Sequence, residues 1–395
     1  CRFASKIPLN PIGCGFEEDL EVLLTHYFRR KIRKGEYEFT FAHNGLEALK
    51  LMVEQPDFDI VLSDINMPEM DGLTLLSKIN ELRNPVQKCI MVSAYGDMKN
   101  IRTAMNRGAF DFATKPIDMD DLSVTIEKAI EQIQYIKETQ KEHNQLQSLQ
   151  TDLATAGEIQ KAILPYRFPP FAELAQTLDI YASMTPAKEI GGDFYDFFRI
   201  DKDKIGFVMA DVSGKGIPAA LFMAVSNTLL RSVAMATEST NECMDEVNRL
   251  LCKASVNSMF VTMFYGILNH KSGDIDFTNA GHNPAYILHE DGTVEKVSQH
   301  PNFVAGGLEA FVYKNDTAHL NPGESIVLYT DGITEAFNAQ NEPFGEGRFE
   351  DSLAELYYED AKTVIEEVHN DLGEFIGDTT QSDDITMLVI KRKKN

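Results

Sequence analysis

Between residues 39 and 114 short apolar runs alternate with longer stretches of helical spacing. The runs 39–42, 60–63, 89–93 and 110–114 read as strands, and 45–54, 73–80 and 98–106 as helices, a rhythm that predicts a doubly wound α/β sheet. A further helix is expected over 17–28. The strand that should precede it is poor, because Pro11, Gly13 and Gly15 fall where a central strand needs donors and side chains.

After residue 118 the period changes. Leu122, Ile126, Ala129, Ile133 and Ile136 follow alternating spacings of four and three, the seam of a coiled coil. The seam is polar at Gln140 and His143 and resumes at Leu146, Leu149, Leu153 and Ala156 after an extra three-residue step, which implies local overwinding. A parallel homodimer through this long helix is the expectation; one helix packed on its own domain is the alternative. Pro165, Pro169 and Pro170 end it.

From residue 178 strands dominate, at 180–184, 194–199, 205–210, 259–268, 275–279, 285–289, 325–330 and 385–391. Helices are predicted at 218–236, 241–255, 349–358 and 361–376. Strands and helices in separate blocks predict an α+β sandwich of four layers, α/β/β/α. The domains expected are therefore 1–118 with a degenerate first strand, a coiled-coil linker over 119–165, and 166–395.

Composition changes this picture little. Of 395 residues 43% are apolar and 25% charged, as in multidomain globular proteins, and the net charge of −24 argues against nucleic acid and anionic membranes as partners. The one dense basic patch, residues 391–394, reads as a solvated end. Five cysteines without a CxxC pair favour a reducing compartment, the cytoplasm by default. No apolar run is expected to reach the roughly 18 residues of a membrane span, and no signal-peptide core is read at the start of the sequence.

Candidate chemistry falls at strand ends. In the first domain these are Asp64, Ser93 and Lys115, at the carboxyl ends where open α/β sheets place their working groups. VLSDINMPEMDG (61–72), MVSA (91–94) and ATKP (113–116) resemble the CheY-like receiver domain of response regulators. The resemblance implies Asp64 as phosphoacceptor, Ser93 as the hydroxyl that senses phosphorylation, Lys115 as its charge partner and Phe112 as the aromatic switch. It also implies an acidic pair for Mg²⁺, whose positions fall on Gly15 and Phe16, so weak phosphorylation is expected. A sensor histidine kinase would be the upstream partner.

Asp193, Asp211, Asp331 and Asp383 each lie beside an apolar strand and near Gly, Ser or Thr, as in sites that gather hard divalent cations. Cys243 and Cys252 lie on a predicted helix and read as core. AGEIQKAILP (156–165), GGDFYD (191–196), ADVSGKGIPAAL (210–221), NAGHNP (279–284), YTDGITEAFN (329–338), FGEGR (344–348) and DDIT (383–386) resemble the metal-dependent (PPM) Ser/Thr protein phosphatases, in their bacterial sporulation and stress-response branch. The resemblance implies two Mn²⁺ or Mg²⁺ ions bridged by Asp211. Asp193 and the Val212 carbonyl would hold one, Asp331 and Asp383 the other, with Asp384 as runner-up to Asp383. Such a pair lowers the pKa of bound water and dispenses with a protein nucleophile. It further implies that 156–165 acts as a switch segment.

Two positions depart from larger relatives: Ser213 replaces a histidine two residues after the bridging aspartate, and His282 is the available histidine, read either as an acid or as part of the loop structure. Lys188 is a candidate contact for the substrate phosphate. Taken together, the sequence reads as a response-regulator protein phosphatase acting on phosphoserine or phosphothreonine. By resemblance its partner is a STAS-domain anti-anti-sigma factor. A catalytically silent, partner-sequestering domain and a constitutive phosphatase are the alternatives.

Overall fold

The computed structural model describes residues 10–15, 18–168 and 170–394. It divides into two compact units, 1–148 and 149–395, with the boundary inside the long helix rather than at either end of a separate linker.

In the first unit the elements are β1 (Pro11–Cys14), α1 (Glu18–Tyr27), α2 (Arg29–Arg33), β2 (Thr40–Ala42), α3 (Gly45–Glu54), β3 (Ile60–Asp64), α4 (Gly72–Glu81), β4 (Lys88–Ala94), α5 (Met98–Asn106) and β5 (Asp111–Lys115). The strands form a parallel sheet in the order β2-β1-β3-β4-β5. Alternation sorts the side chains: Ile60, Leu62, Ile90 and Val92 enter one core, Val61, Cys89 and Met91 the other.

The strand expected to fail is present and central. Pro11 stands at its first residue, where a missing N–H is tolerated, while Ile12 and Cys14 supply fully buried side chains. Phe16, the second acidic-pair position, lies outside the described residues.

The helix α6 (Met119–Ile163) corrects the coiled-coil expectation over its first third. Leu122, Ile126, Ala129 and Ile133 are buried with Leu24, Phe28, Ile60 and Ile90, so that part of the apolar stripe covers the unit's own sheet. Further along, Leu146 and Leu149 are exposed.

The second unit comprises β6 (Leu178–Thr185), β7 (Phe194–Arg199), β8 (Lys204–Val212), α7 (Ile217–Ala234), α8 (Thr240–Ala254), β9 (Val261–Asn269), β10 (Asp274–Ala280), β11 (Tyr286–Leu288), β12 (Val294–Lys296), β13 (Asp316–His319), β14 (Ser325–Tyr329), α9 (Asp331–Thr334), α10 (Gly345–Glu355), α11 (Ala361–Ile376) and β15 (Ile385–Arg392). Two antiparallel sheets run β13-β10-β9-β8-β7 and β12-β11-β14-β15-β6. Phe207 and Phe264 of the first sheet, Ile326 and Leu388 of the second, and Ala219, Met223 and Val247 of α7 and α8 belong to one core. A second core sets Phe349, Val364 and Val368 of α10 and α11 against Val327, Met387 and Val389. The four-layer order is the one expected.

One expectation about α7 needs correction. Its 18 residues are long and apolar enough to cross a membrane by composition. They form instead an outer layer of the sandwich, with Ala219, Phe222, Met223, Leu230 and Ala234 buried.

If the first third of α6 is core, Leu122→Ala should lower the unfolding free energy of the first unit by about 2–4 kcal/mol. Leu146→Ala should stay within about 0.5 kcal/mol. Urea titrations followed by circular dichroism read both.

Candidate functional site

Strand register brings the four aspartates together. Phe194 of β7 pairs with Ala210 of β8, so one step outward Asp193 comes beside Asp211. On the second sheet Tyr329 pairs with Met387, and further outward on the same side lie Asp331, two residues past Tyr329, and the Asp383–Asp384 turn, three to four residues before Met387. Two carboxylates per sheet therefore meet at one end of the sandwich.

Hydrogen bonds tie the sheets across this end. Thr330 Oγ1 and Thr386 Oγ1, both on the second sheet, donate to Asp193 Oδ2 at 2.7 and 2.6 Å. Burial, then the charge of Asp211, holds the Asp193 carboxyl well above the usual range. Burial and the charges of Asp331 and Asp383 raise Asp211, and burial with Glu335 and Asp383 raises Asp331. This is a site short of positive charge.

Asp384 has a different role from its neighbour. Its Oδ1 accepts from Ala187 N–H (2.8 Å), and its Oδ2 from Gly192 N–H (2.7 Å) and Asp193 N–H (3.4 Å). With both oxygens taken by backbone donors, it fixes the loop ahead of Asp193, and Asp383 is left to face the cluster. The glycines follow from this packing. A Cβ on Gly191 would fall 2.2 Å from Asp384 Oδ2, and one on Gly332 1.9 Å from the Asp384 carbonyl oxygen.

Gln160, near the end of α6, clamps the same loop. Its Nε2 donates to the Gly191 carbonyl (2.6 Å), and its Oε1 accepts from Gly191 N–H (3.1 Å).

His282 Nε2–H donates to the Tyr329 carbonyl (3.1 Å) and Nδ1 lies 2.9 Å from Thr262 Oγ1, so both nitrogens are engaged. Burial pushes its pKa down to about 4, leaving a neutral brace behind the cluster. Ser213 is pinned by a reciprocal pair with Phe260, donating its N–H to the carbonyl (2.9 Å) and accepting at Oγ (3.0 Å). Lys188 is exposed on the loop.

The cation that reaches the cluster is one the sequence reading passed over. Lys215 Nζ donates to Asp383 Oδ2 (2.8 Å) and to the Ser382 carbonyl (2.7 Å). Its position in ADVSGKG, four residues after Asp211, was the available signal. Cys243 is buried as expected; Cys252 is half-buried on the same helix.

The donor set suits divalent cations: hard oxygens from four aspartates, with the Val212 carbonyl beside Gly192. Among the described residues no three acidic, His or Cys side chains already stand in ligand geometry.

In the first unit Asp64 ends β3 and is buried, ion-paired with Lys115 at the end of β5. Asn66 N–H donates to its other oxygen at 3.2 Å. Ser93 is buried on the intervening β4, and its hydroxyl lies 3.5 Å from Asp97 Oδ2. Phe112 is partly buried. Gly15 has φ +73°, and the Met67 side chain occupies the place of any side chain there, with Cγ 2.3 Å from an ideal Cβ.

Two families match the chain. The response regulator receiver domain family matches residues 18–127, and the Stage II sporulation protein E (SpoIIE) family matches 201–393. Residues 18–127 thus match as a receiver domain and 201–393 as a SpoIIE-type domain, whose fold PP2C domains share.

Among its relatives are protein IcfG of Synechocystis and phosphoserine phosphatase RsbU of Bacillus subtilis. IcfG is 29% identical over 272 residues, covering 61% of this chain, and RsbU 29% over 247 residues, covering 62%. The match spans 41% of IcfG and 72% of RsbU. The solved SiaA-PP2C domain of Pseudomonas aeruginosa shares the fold of the phosphatase domain, with TM-score 0.55 and 23% identity over 63% of this chain and 98% of that one.

Two outcomes test these assignments. Asp384→Ala strips three backbone donors of a buried acceptor and should destabilise the phosphatase domain by about 2–4 kcal/mol in urea unfolding. Asp64 should take little or no label from a small phosphodonor with Mg²⁺, judged on phosphate-affinity gels; labelling at the level of an ordinary receiver contradicts this.

Proposed function

We propose that the phosphatase domain hydrolyses phosphoserine or phosphothreonine on a partner protein with two Mn²⁺ or Mg²⁺ ions. Asp211 would be shared between them, with Asp193 and the Val212 carbonyl on one side and Asp331 and Asp383 on the other. The observation that carries the reading is the convergence of four aspartates from two sheets with too little positive charge to neutralise them. When bound, the two cations offset charge on the phosphoryl group and make water a competent nucleophile at neutral pH.

The chain's own residues do the positioning. Thr330 and Thr386 orient Asp193 through its Oδ2. Asp384 and Gln160 hold the loop that carries Asp193, and His282 braces the end of β14 just ahead of Asp331. A wrong side-chain orientation at any of these points misplaces a ligand, and errors of about 1 Å at a reacting centre are costly.

RsbU is named a phosphoserine phosphatase, which supports the substrate class. Within that class we infer a phosphorylated STAS-domain anti-anti-sigma factor, so that dephosphorylation switches a sigma factor's partner. A homodimer through the exposed part of α6 and control by a sensor kinase belong to the same reading. The four described cysteines are free, which fits a cytoplasmic place of action.

The test is Mn²⁺-dependent release of phosphate from an aryl phosphate and from phosphoserine peptides. Asp211→Ala should reduce turnover by about 100-fold or more, since even outer-sphere changes at metal sites cost 10- to 100-fold. Equal activity in the variant would remove the two-cation assignment.

A further inference from the structure

Among the described residues, Lys215 is the cation hydrogen-bonded to the aspartate cluster. Its ammonium lies 2.8 Å from Asp383 Oδ2, and a third hydrogen-bonding direction remains beyond its two acceptors. A divalent cation ligated by that oxygen would sit about 2.0–2.2 Å from it. An ammonium and a dication cannot both occupy the same lone-pair side of one oxygen, because like charges at such separations repel strongly even in a polar environment.

The loop around Lys215 is built to let it leave. Gly214 and Gly216 flank it at φ +92° and +75°, with no atom within 4 Å of a Cβ placed on either. The backbone before them is anchored by Ser213 to Phe260, and after them α7 begins. Lys215 itself is half exposed, so its side chain can swing into solvent without disturbing a core contact.

We propose that Lys215 is a resident counter-ion of the carboxylate cluster, which a divalent cation must displace to reach Asp383. The inference rests on the two-cation reading and deepens it: it assigns an order to loading. The position served by Asp193 and Val212 is open to a cation at once, whereas the position served by Asp331 and Asp383 is filled in competition with the lysine. In the absence of cations the lysine screens the cluster and stabilises the fold.

The size of the competition is modest. Ion pairs with this degree of exposure contribute a few tenths to about 1 kcal/mol, which corresponds to roughly two- to fivefold in affinity.

The experiment is calorimetric titration of Mn²⁺ into the full chain and into Lys215→Met and Lys215→Arg. Methionine keeps most of the stem and removes the charge; arginine keeps the charge. The weaker of the Mn²⁺ binding events should tighten about two- to fivefold in Lys215→Met and change little in Lys215→Arg. Thermal melts supply the second readout. In EDTA, Lys215→Met should melt below the wild type, and saturating Mn²⁺ should close or reverse that gap.

Wild-type binding that Lys215→Met leaves unchanged or weakens overturns the lysine's role alone, as would a variant that melts no lower than the wild type in EDTA. A wild-type chain that binds no Mn²⁺ overturns the two-cation reading and this inference with it.

Discussion

Repulsion among four carboxylates is the constraint that shapes the end of the sandwich where they meet. Two unit charges 4 Å apart cost about 4 kcal/mol at an effective dielectric of 20, so a cluster of four survives only if the chain holds it there by other means. Protonation is one: burial and neighbouring charge raise Asp193, Asp211 and Asp331 together. Donors are another, from Thr330 and Thr386 to Asp193 and from Lys215 to Asp383. The backbone is the third. Asp384 collects three N–H groups, and Gly191 and Gly332 lack the side chains that would otherwise collide with it.

These supports come from distant parts of the chain, and that explains which of them the sequence displayed. The aspartates were legible because each ends an apolar run and stands by a turn residue, a local signal. So were the long strands and helices, since β7 and α11 carry enough periodic apolar positions to fix both ends. The strands β12 and β13 were not, being short, polar and at sheet edges, where nothing forces an apolar pattern. Asp384 and His282 were legible as chemistry, the one as a second choice of ligand and the other as an acid or a loop residue, but their contacts were not. What decided them was whether their polar atoms found partners far away in sequence, at Ala187 and Gly192, and at Tyr329.

The long helix shows the same limit from another side. Alternating spacings of three and four describe any stripe that buries one helix face, whether against a second copy or against a sheet. Over Leu122 to Ile133 the stripe meets Leu24, Phe28 and Ile90 of its own domain. The end of the helix is different: Gln160 is a polar residue on an exposed-looking sequence, yet it is buried and holds both backbone groups of Gly191. A periodicity argument finds apolar faces and passes over a single buried amide.

Charge balance separates the two aspartate sites more sharply than motif identity does. In the receiver domain Asp64 meets one lysine, Lys115, and Met67 rather than a carboxylate lies against Gly15. Among the described residues Asp64's one negative charge is paired with one positive charge, and a dication brought there would have to compete with the lysine. In the second unit four aspartates face, among the described residues, the one ammonium of Lys215. There dications would relieve repulsion that the protein otherwise relieves with protons. Sites built from the same residue type, at the same kind of strand end, therefore differ in their call for metal because of how many carboxylates share each cation.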